Sequence, residues 1–519
     1  MKKASLLMTA VAFAASACAQ QNATAVKYGK LITADDSKKH LSILASDEFE
    51  GRETGKPGAE KAANYIAGEF KKMGLQAPVK GSYFLDIPLA ESKFNVNAFS
   101  INGQTFANWT DFFVRGSFAD KTLNATDIVY VGYGSAEEIA GTSLAGKIVL
   151  LINEDKPVAG TKTNTSYRAT PARQAILKAI RDQKPALILA ANGELSALLK
   201  RFGGQNPSGG SSIAIKRAQD ANAPTPVFNV TTAVADALLK STGKTYEELK
   251  TATAAGKQTQ TVKAAVNVAY ATEYKDVKAV DVLGYLPGSD AKLKDEVLVI
   301  SAHYDHIGLV TKPGATDKVN NGADDDGSGT TGMLEIAQAF AKAKKDGKGP
   351  RRSILFLGNV GEEKGLLGSE WYSDHPVFPL ANTIADLNID MIGRVGQEYL
   401  NNPDSANYVY PIGSAMLSTE LHKIGEDANN TYTKLKLDYK YDDLNDPNDF
   451  YHRSDHYNFA RYGVPIIFYF NGVHADYHQP GDEVSKINFP LLAKRAQLVF
   501  FTGWELANRD TRPVVDGKK

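Results

Sequence analysis

Five short segments of the 519-residue chain carry the side chains best suited to chemistry. They are Ala302-His303-Tyr304-Asp305-His306, Gly322-Ala323-Asp324-Asp325-Asp326-Gly327, Gly361-Glu362-Glu363, Asn388-Ile389-Asp390-Met391 and Asp476-Tyr477-His478-Gln479-Pro480. Each alone is ordinary. Adjacent glutamates usually face solvent, and an aspartate triplet beside glycine is usually a polar turn. Together they form a pattern in which metal-ligating residue types recur just after apolar runs. Carboxylates gathered in one place repel one another unless positive charge sits between them. Two histidines and three carboxylates suit zinc or a similar divalent cation. A dinuclear hydrolase needs such a set, with one carboxylate bridging ions about 3.5–4 Å apart. A further carboxylate outside the set must take the proton of the attacking water.

The elements that must position these groups are legible as well. Val297–Ser301, Ile354–Leu357, Ile384–Leu387 and Ile466–Phe470 read as buried strands. A helix is predicted over 330–344, with Met333, Leu334, Ala337 and Phe340 on one face. The pattern predicts an α/β fold with a helix-covered, mostly parallel sheet, whose ligand sites lie beyond the carboxyl ends of its strands. Residues 36–78 read as helix, loop and helix around Gly51-Arg52-Glu53-Thr54-Gly55. From Asn124, strands and helices alternate over about 140 residues, which predicts a smaller inserted α/β domain.

At this point the residues resemble a known family, the co-catalytic zinc aminopeptidases of metallopeptidase family 28. That superfamily also includes glutamate carboxypeptidase II, glutaminyl cyclases and, as a non-catalytic relative, transferrin receptor. The resemblance implies the zinc-aminopeptidase-like mixed sheet and divides the chain into four parts. Residues 1–17 would be a signal peptide and 25–115 the amino-terminal part of the peptidase domain. Residues 116–262 would be a protease-associated domain, and 263–510 the catalytic domain. It further implies two zinc ions per chain. His303, Asp325 and Asp390 would hold one, and Asp325, Glu363 and His478 the other. Glu362 matches the general base and Asp305 the carboxylate that orients His303. Tyr477 matches a position that can hydrogen-bond the substrate carbonyl as it becomes an oxyanion. The implied substrate is a peptide with a free amino terminus.

Other histidines compete. His306 and His474 adjoin the chosen motifs, and His452 and His456 have the spacing of a helical metal pair, though without the glutamate of HExxH. Asp324 and Asp326 are expected to shape the turn around Asp325. A carboxypeptidase would need an arginine cluster for a terminal carboxylate, for which Arg394 and Arg453 are candidates. A non-catalytic binding protein would lack a ligand or the base, and here all are present.

Composition narrows the partners. Lysine plus arginine and aspartate plus glutamate both number 59, so nothing points to nucleic acid. A single cysteine excludes an internal disulfide framework and a cysteine-based zinc site. Lys2 and Lys3 precede the apolar run Ala4–Ala17, which is shorter than the ~20 residues that span a bilayer. A secretory signal is expected, followed either by lipidation of Cys18, in a lipobox-like Ala15-Ser16-Ala17-Cys18, or by ordinary cleavage. The protein is therefore expected in the periplasm or cell envelope, or secreted, meeting a membrane only through a lipid anchor.

Overall fold

The apolar runs of the second half of the chain form most of an eight-stranded mixed sheet. In chain order its strands are β1 (Phe84–Asp86), β2 (Val280–Leu286), β3 (Val297–His303), β4 (Ser353–Asn359), β5 (Thr383–Ile389), β6 (Tyr408–Ile412), β7 (Lys436–Leu437) and β8 (Ile466–Phe470). The spatial order is β1-β2-β4-β3-β5-β8-β6-β7. The four central strands β4, β3, β5 and β8 are mutually parallel, while β1, β2 and β6 pair antiparallel. Every residue of β3, β4, β5 and β8 is buried, as expected for parallel strands covered on both faces. The structure, a computed structural model, describes residues 21–517 apart from 117, 159, 161–165, 167–169, 205–210 and 217–224. The expected signal segment 1–17 and Cys18 lie outside the described residues.

Five helices matter for the site: α1 (Ala34–Leu44), α2 (Pro57–Met73), α3 (Gly327–Lys345), α4 (Leu367–Asp374) and α5 (Phe489–Asn508). Helix α2 starts on Pro57, where a missing N–H costs nothing, and ends on Gly74 at φ +80°, a cap that favours glycine. Helix α3 is capped by Asp326, which accepts the Gly329 N–H, and its last turn carries Lys342, Lys344 and Lys345. The period-two alternation of β3 serves two cores. Val297 and Val299 pack in a cluster with Tyr372 of α4 and Phe459. Leu298 and Ile300 face Gly503 of α5, where a short side chain allows close approach.

The chain divides into two units, residues 1–88 with 278–519, and Leu89–Val277. The second is wider than the expected 116–262, and the reason is strand pairing over long range. Leu89–Ile101 pairs antiparallel with Gln260–Val277 from Ile101↔Val266 to Leu89↔Val277. Both belong to the sheet of the inserted unit, and their Phe99, Ile101, Val266 and Val268 lie in its core. That sheet also contains four parallel strands, Lys121–Tyr130, Ile148–Ile152, Leu187–Ala191 and Val227–Val230.

Candidate metal centre

Parallel pairing sets the site. His303 ends β3 directly beside Asn359, the end of β4, and Ile389 of β5 lies beside Tyr469 of β8. The carboxyl ends therefore align. Glu362 and Glu363 follow β4, Asp390 follows β5, and His474, Tyr477 and His478 follow β8. The Asp324–Asp326 turn leads into α3.

The structure brings the sequence-predicted groups together. His303 Nε2 stands 3.4 Å from Asp325 Oδ1 and 3.6 Å from Asp390 Oδ2. His478 Nε2 stands 3.1 Å from both Asp325 Oδ2 and Glu363 Oε2. Asp325 thus faces both histidines, as a bridging carboxylate must. Glu362 groups with His303 and Asp390, their ligand-type atoms all lying within 4.8 Å. Met391 and His478 hold left-handed backbone at φ +59° and +55°, a costly conformation for such residues that the surrounding packing must maintain.

The electrostatics call for a cation. Burial would raise the Asp325 carboxyl, but His303 and His478 outweigh it and hold the group well below the usual range. Burial and Asp325 push Glu363 up, and hydrogen bonds from His306 and His478 bring it below its ordinary value. Conversely, burial disfavours charged His478, yet Asp325 and Glu363 raise it to about 10. Positive charge among these carboxylates is strongly favoured. His303 Nε2 and Asp325 Oδ2 are buried without a hydrogen-bond partner among the described residues. Oxygen and imidazole donors left unsatisfied beside one another fit a borderline divalent ion such as zinc.

Neighbours fix these groups. Asp305 reaches His303 Nδ1 through its backbone oxygen at 3.1 Å, its carboxylate Oδ1 being 3.8 Å away. That carboxylate is engaged by Thr54 Oγ at 2.5 Å and the Glu362 N–H at 3.2 Å. Ser454 Oγ donates to Asp390 Oδ2 at 2.6 Å, and Asp482 Oδ2 accepts the N–H groups of Asp324 and Asp325 at 2.9 and 3.1 Å. Asp326 accepts the N–H groups of Gly329 and Met391, and Asp324 that of Gly393, so both shape the turn. Burial, with Asp325 and Glu363 nearby, pushes the Tyr477 phenol far above its usual range, so its proton stays in place.

The competing histidines separate. His306 Nδ1 lies 2.8 Å from Glu363 Oε1 and 3.7 Å from Asp325 Oδ2, close enough to rank as a further ligand type at the same cluster. His474 Nε2 turns to Asp324 at 3.2 Å. His456 is buried against Phe468 with Nε2 on the Tyr451 oxygen, and His452 pairs with Asp449, so neither joins the cluster. Thr54 lies in the Gly51-Arg52-Glu53-Thr54-Gly55 loop read from the sequence, but neither its contact nor those of Ser454 and Asp482 follow from sequence alone. Ser454 and Asp482 follow short motifs near Asp390 and His478 in space, but hydroxyls and carboxylates in loops carry no periodic signal.

Fold and site together define an α/β protein with a carboxylate–imidazole cluster, of a kind that could hold metal, at the carboxyl ends of the parallel strands of a mixed sheet. Comparison with known families agrees with this: residues 281–502 match peptidase family M28. Aminopeptidase YwaD of Bacillus subtilis is 27% identical over 230 residues, 42% of this chain and 43% of that protein. The "Probable zinc metalloprotease" of Pyricularia oryzae is 27% identical over 298 residues, 50% of this chain and 55% of that protein. The chain thus spans about half the length of these curated relatives. The solved aminopeptidase from Aneurinibacillus sp. strain AM-1 shares the fold, with a TM-score of 0.53 at 19% identity, covering 95% of this chain and 98% of that one.

Proposed function

We propose that the protein is an exported dinuclear zinc aminopeptidase that releases residues from the free amino end of peptides. One observation carries the reading: His303, Asp325, Asp390, Glu363 and His478 converge at the strand ends with Glu362 beside them. His303 and Asp390 would hold one ion, Glu363 and His478 the other, and Asp325 both. Two ions held there would supply Lewis acidity toward a scissile carbonyl and lower the pKa of a bound water. Glu362 then accepts the proton of the attacking water and returns it to the departing nitrogen. The Tyr477 O–H donates to the carbonyl oxygen as negative charge develops there.

The adjoining cleft is walled by Met391, Phe450, Phe468, Phe470 and Val473, which suits an apolar side chain of the terminal residue. The carboxylates of Glu362 and Asp390 line the same cleft and attract the substrate ammonium group. A carboxypeptidase would bind a carboxylate through arginines instead. Arg394 is engaged by Asp476 at 2.8 Å and Asp482 at 3.5 Å, leaving Arg453 alone at the cleft. The free-amine reading is therefore preferred. The inserted unit is read as a protease-associated domain, and export as directed by residues 1–17 with Cys18 as the anchor point. No helix among the described residues is long and apolar enough to cross a membrane.

The test is hydrolysis of aminoacyl amides against amino-terminally blocked peptides, with zinc analysis of the same sample. Rapid cleavage of free substrates alone, at about two zinc ions per chain, is the expected result. Equal cleavage of blocked peptides would sink the aminopeptidase assignment.

A further inference from the structure

The segment Gly51-Arg52-Glu53-Thr54 precedes α2 and supplies no ligand to the proposed centre, yet it touches every loop that supplies one from β3, β4 and α3. Arg52 is 1% exposed, and all its hydrogen bonds among the described residues go to backbone carbonyls. Nε donates to Tyr304 O at 2.7 Å, between His303 and Asp305. Nη1 donates to Leu44 O at 2.8 Å and Asn321 O at 2.7 Å, and Nη2 to Gly322 O at 2.8 Å, so the same guanidinium grips the loop of Asp325. The Arg52 carbonyl accepts the His306 N–H at 3.1 Å. Glu53 accepts from Lys364 at 3.1 Å, which ties down the turn of Glu362 and Glu363. Thr54 Oγ donates to Asp305 Oδ2 at 2.5 Å, while Asp305 Oδ1 accepts the Glu362 N–H at 3.2 Å.

Two physical points argue against a casual contact. A buried guanidinium is expensive unless its donors are satisfied, and here three otherwise separate segments satisfy them. In addition, Glu50, Gly51 and Arg52 all have positive φ, at +51°, +65° and +48°. Side chains other than glycine rarely adopt this region, so the surrounding contacts must hold the backbone there.

We infer that Arg52 and Thr54 are positioning residues: they set the spacing of the His303–Asp305, Asp325 and Glu362–Glu363 segments, Thr54 acting on Glu362 through the Asp305 carboxylate. The inference rests on the metal-centre reading of those segments. Removing the Thr54 hydroxyl leaves Asp305 Oδ2 buried without its donor and free to turn, and the Glu362 turn with it.

Thr54→Val keeps the shape and removes the donor, and Thr54→Ser restores it. The full-length protein and both variants would be stripped, reloaded with zinc and titrated against a chromophoric chelator. kcat and KM would be measured separately, with the visible spectrum of the cobalt-loaded form and the melting temperature of the stripped form. Thr54→Val is expected to lose about 10- to 100-fold in zinc affinity or in kcat, to alter the cobalt spectrum, and to leave KM unchanged. Thr54→Ser should recover all of these. Arg52→Lys, which keeps the charge but cannot span three segments, should show the same changes more strongly. Wild-type zinc affinity, kcat and cobalt spectrum in Thr54→Val would overturn the inference, as would a change confined to melting temperature. Failure of the unmodified protein to bind zinc would instead overturn the metal-centre reading itself.

Discussion

Glu362 and Glu363 are neighbours in the chain but belong to different halves of the site. Glu363 is held by His306 at 2.8 Å and His478 at 3.1 Å, whereas Glu362 lies with His303 and Asp390. The turn that carries them is a single 3₁₀ turn entered through Gly361 at φ +76°, and such a turn rotates successive side chains by about 120°. Two adjacent acids can therefore take separate roles.

That division predicts different phenotypes. Glu362→Gln should lower kcat by about 100- to 10,000-fold while the zinc content stays that of the wild type. Glu363→Gln should lose zinc as well as activity. Elemental analysis alongside kinetics distinguishes them, and equal zinc loss in both would remove Glu362 from the role of base.

Tyr477→Phe should keep zinc and KM and reduce kcat by roughly 100-fold, the usual cost of one oxyanion donor. The Tyr477 ring stacks on His478 with centroids 3.9 Å apart, so phenylalanine preserves that contact. An unchanged kcat would show that the hydroxyl does not meet the carbonyl oxygen.

Cation binding should stabilise the fold as well as activate it. An ion that binds only the native chain adds about 2.7 kcal/mol at a concentration one hundred times its dissociation constant. The melting temperature should rise with zinc and fall after chelation, and Asp325→Asn should blunt the response because both proposed ions share that residue. A zinc-independent transition would contradict a buried centre at this position.

Asp386, on β5 beneath the site, predicts a pH dependence of stability. Burial pushes its carboxyl up to about 8 from 3.8, while the hydrogen bond from Ser301 opposes the rise. The folded state then keeps a proton that the unfolded chain has released. Its contribution is full below about pH 3.8 and is lost as pH rises through about 8. Asp386→Asn mimics the protonated acid toward Ser301. Its melting temperature should fall less than that of the wild type between about pH 5 and 8. Parallel curves would refute the assignment.

Gly329→Ala should be severe for a position in a good helix-forming stretch. The added methyl would collide with the Ile389 backbone oxygen and with the Asp326 carboxylate, a side chain held in place by the Gly329 and Met391 N–H groups. Thermal denaturation should show a loss of roughly 1–3 kcal/mol, the usual cost of overpacking. A stability equal to the wild type would mean that β5 and α3 can separate more easily than their packing indicates.

Parts of this architecture were legible because they are local. An apolar run followed by glycine and acids marks a buried strand and the loop after it, and parallel pairing then puts such loops on one edge. That was enough to read β3, β4, β5 and β8 and the ligand types at their ends. The inserted unit was legible as an alternation of strands and helices, but its limits were not. Leu89–Ile101 looks like any short strand until its pairing with Gln260–Val277 is seen, and that pairing is invisible to local pattern.

Composition and local pattern fix the chemistry available: carboxylates and imidazoles, a single cysteine, and a glutamate pair able to divide the work. Tertiary structure decided which of the nine histidines meet those acids. His306 and His478 both follow strand ends, whereas His456, equally polar in sequence, is turned under Phe468. It also decided that Arg52 and Thr54, some 250 residues upstream of Tyr304 and Asp305, hold the loops together. The reason is physical. Residue type and local period follow from neighbouring residues, but the direction in which a loop side chain points depends on backbone turns and packing partners that are close only once the chain has folded.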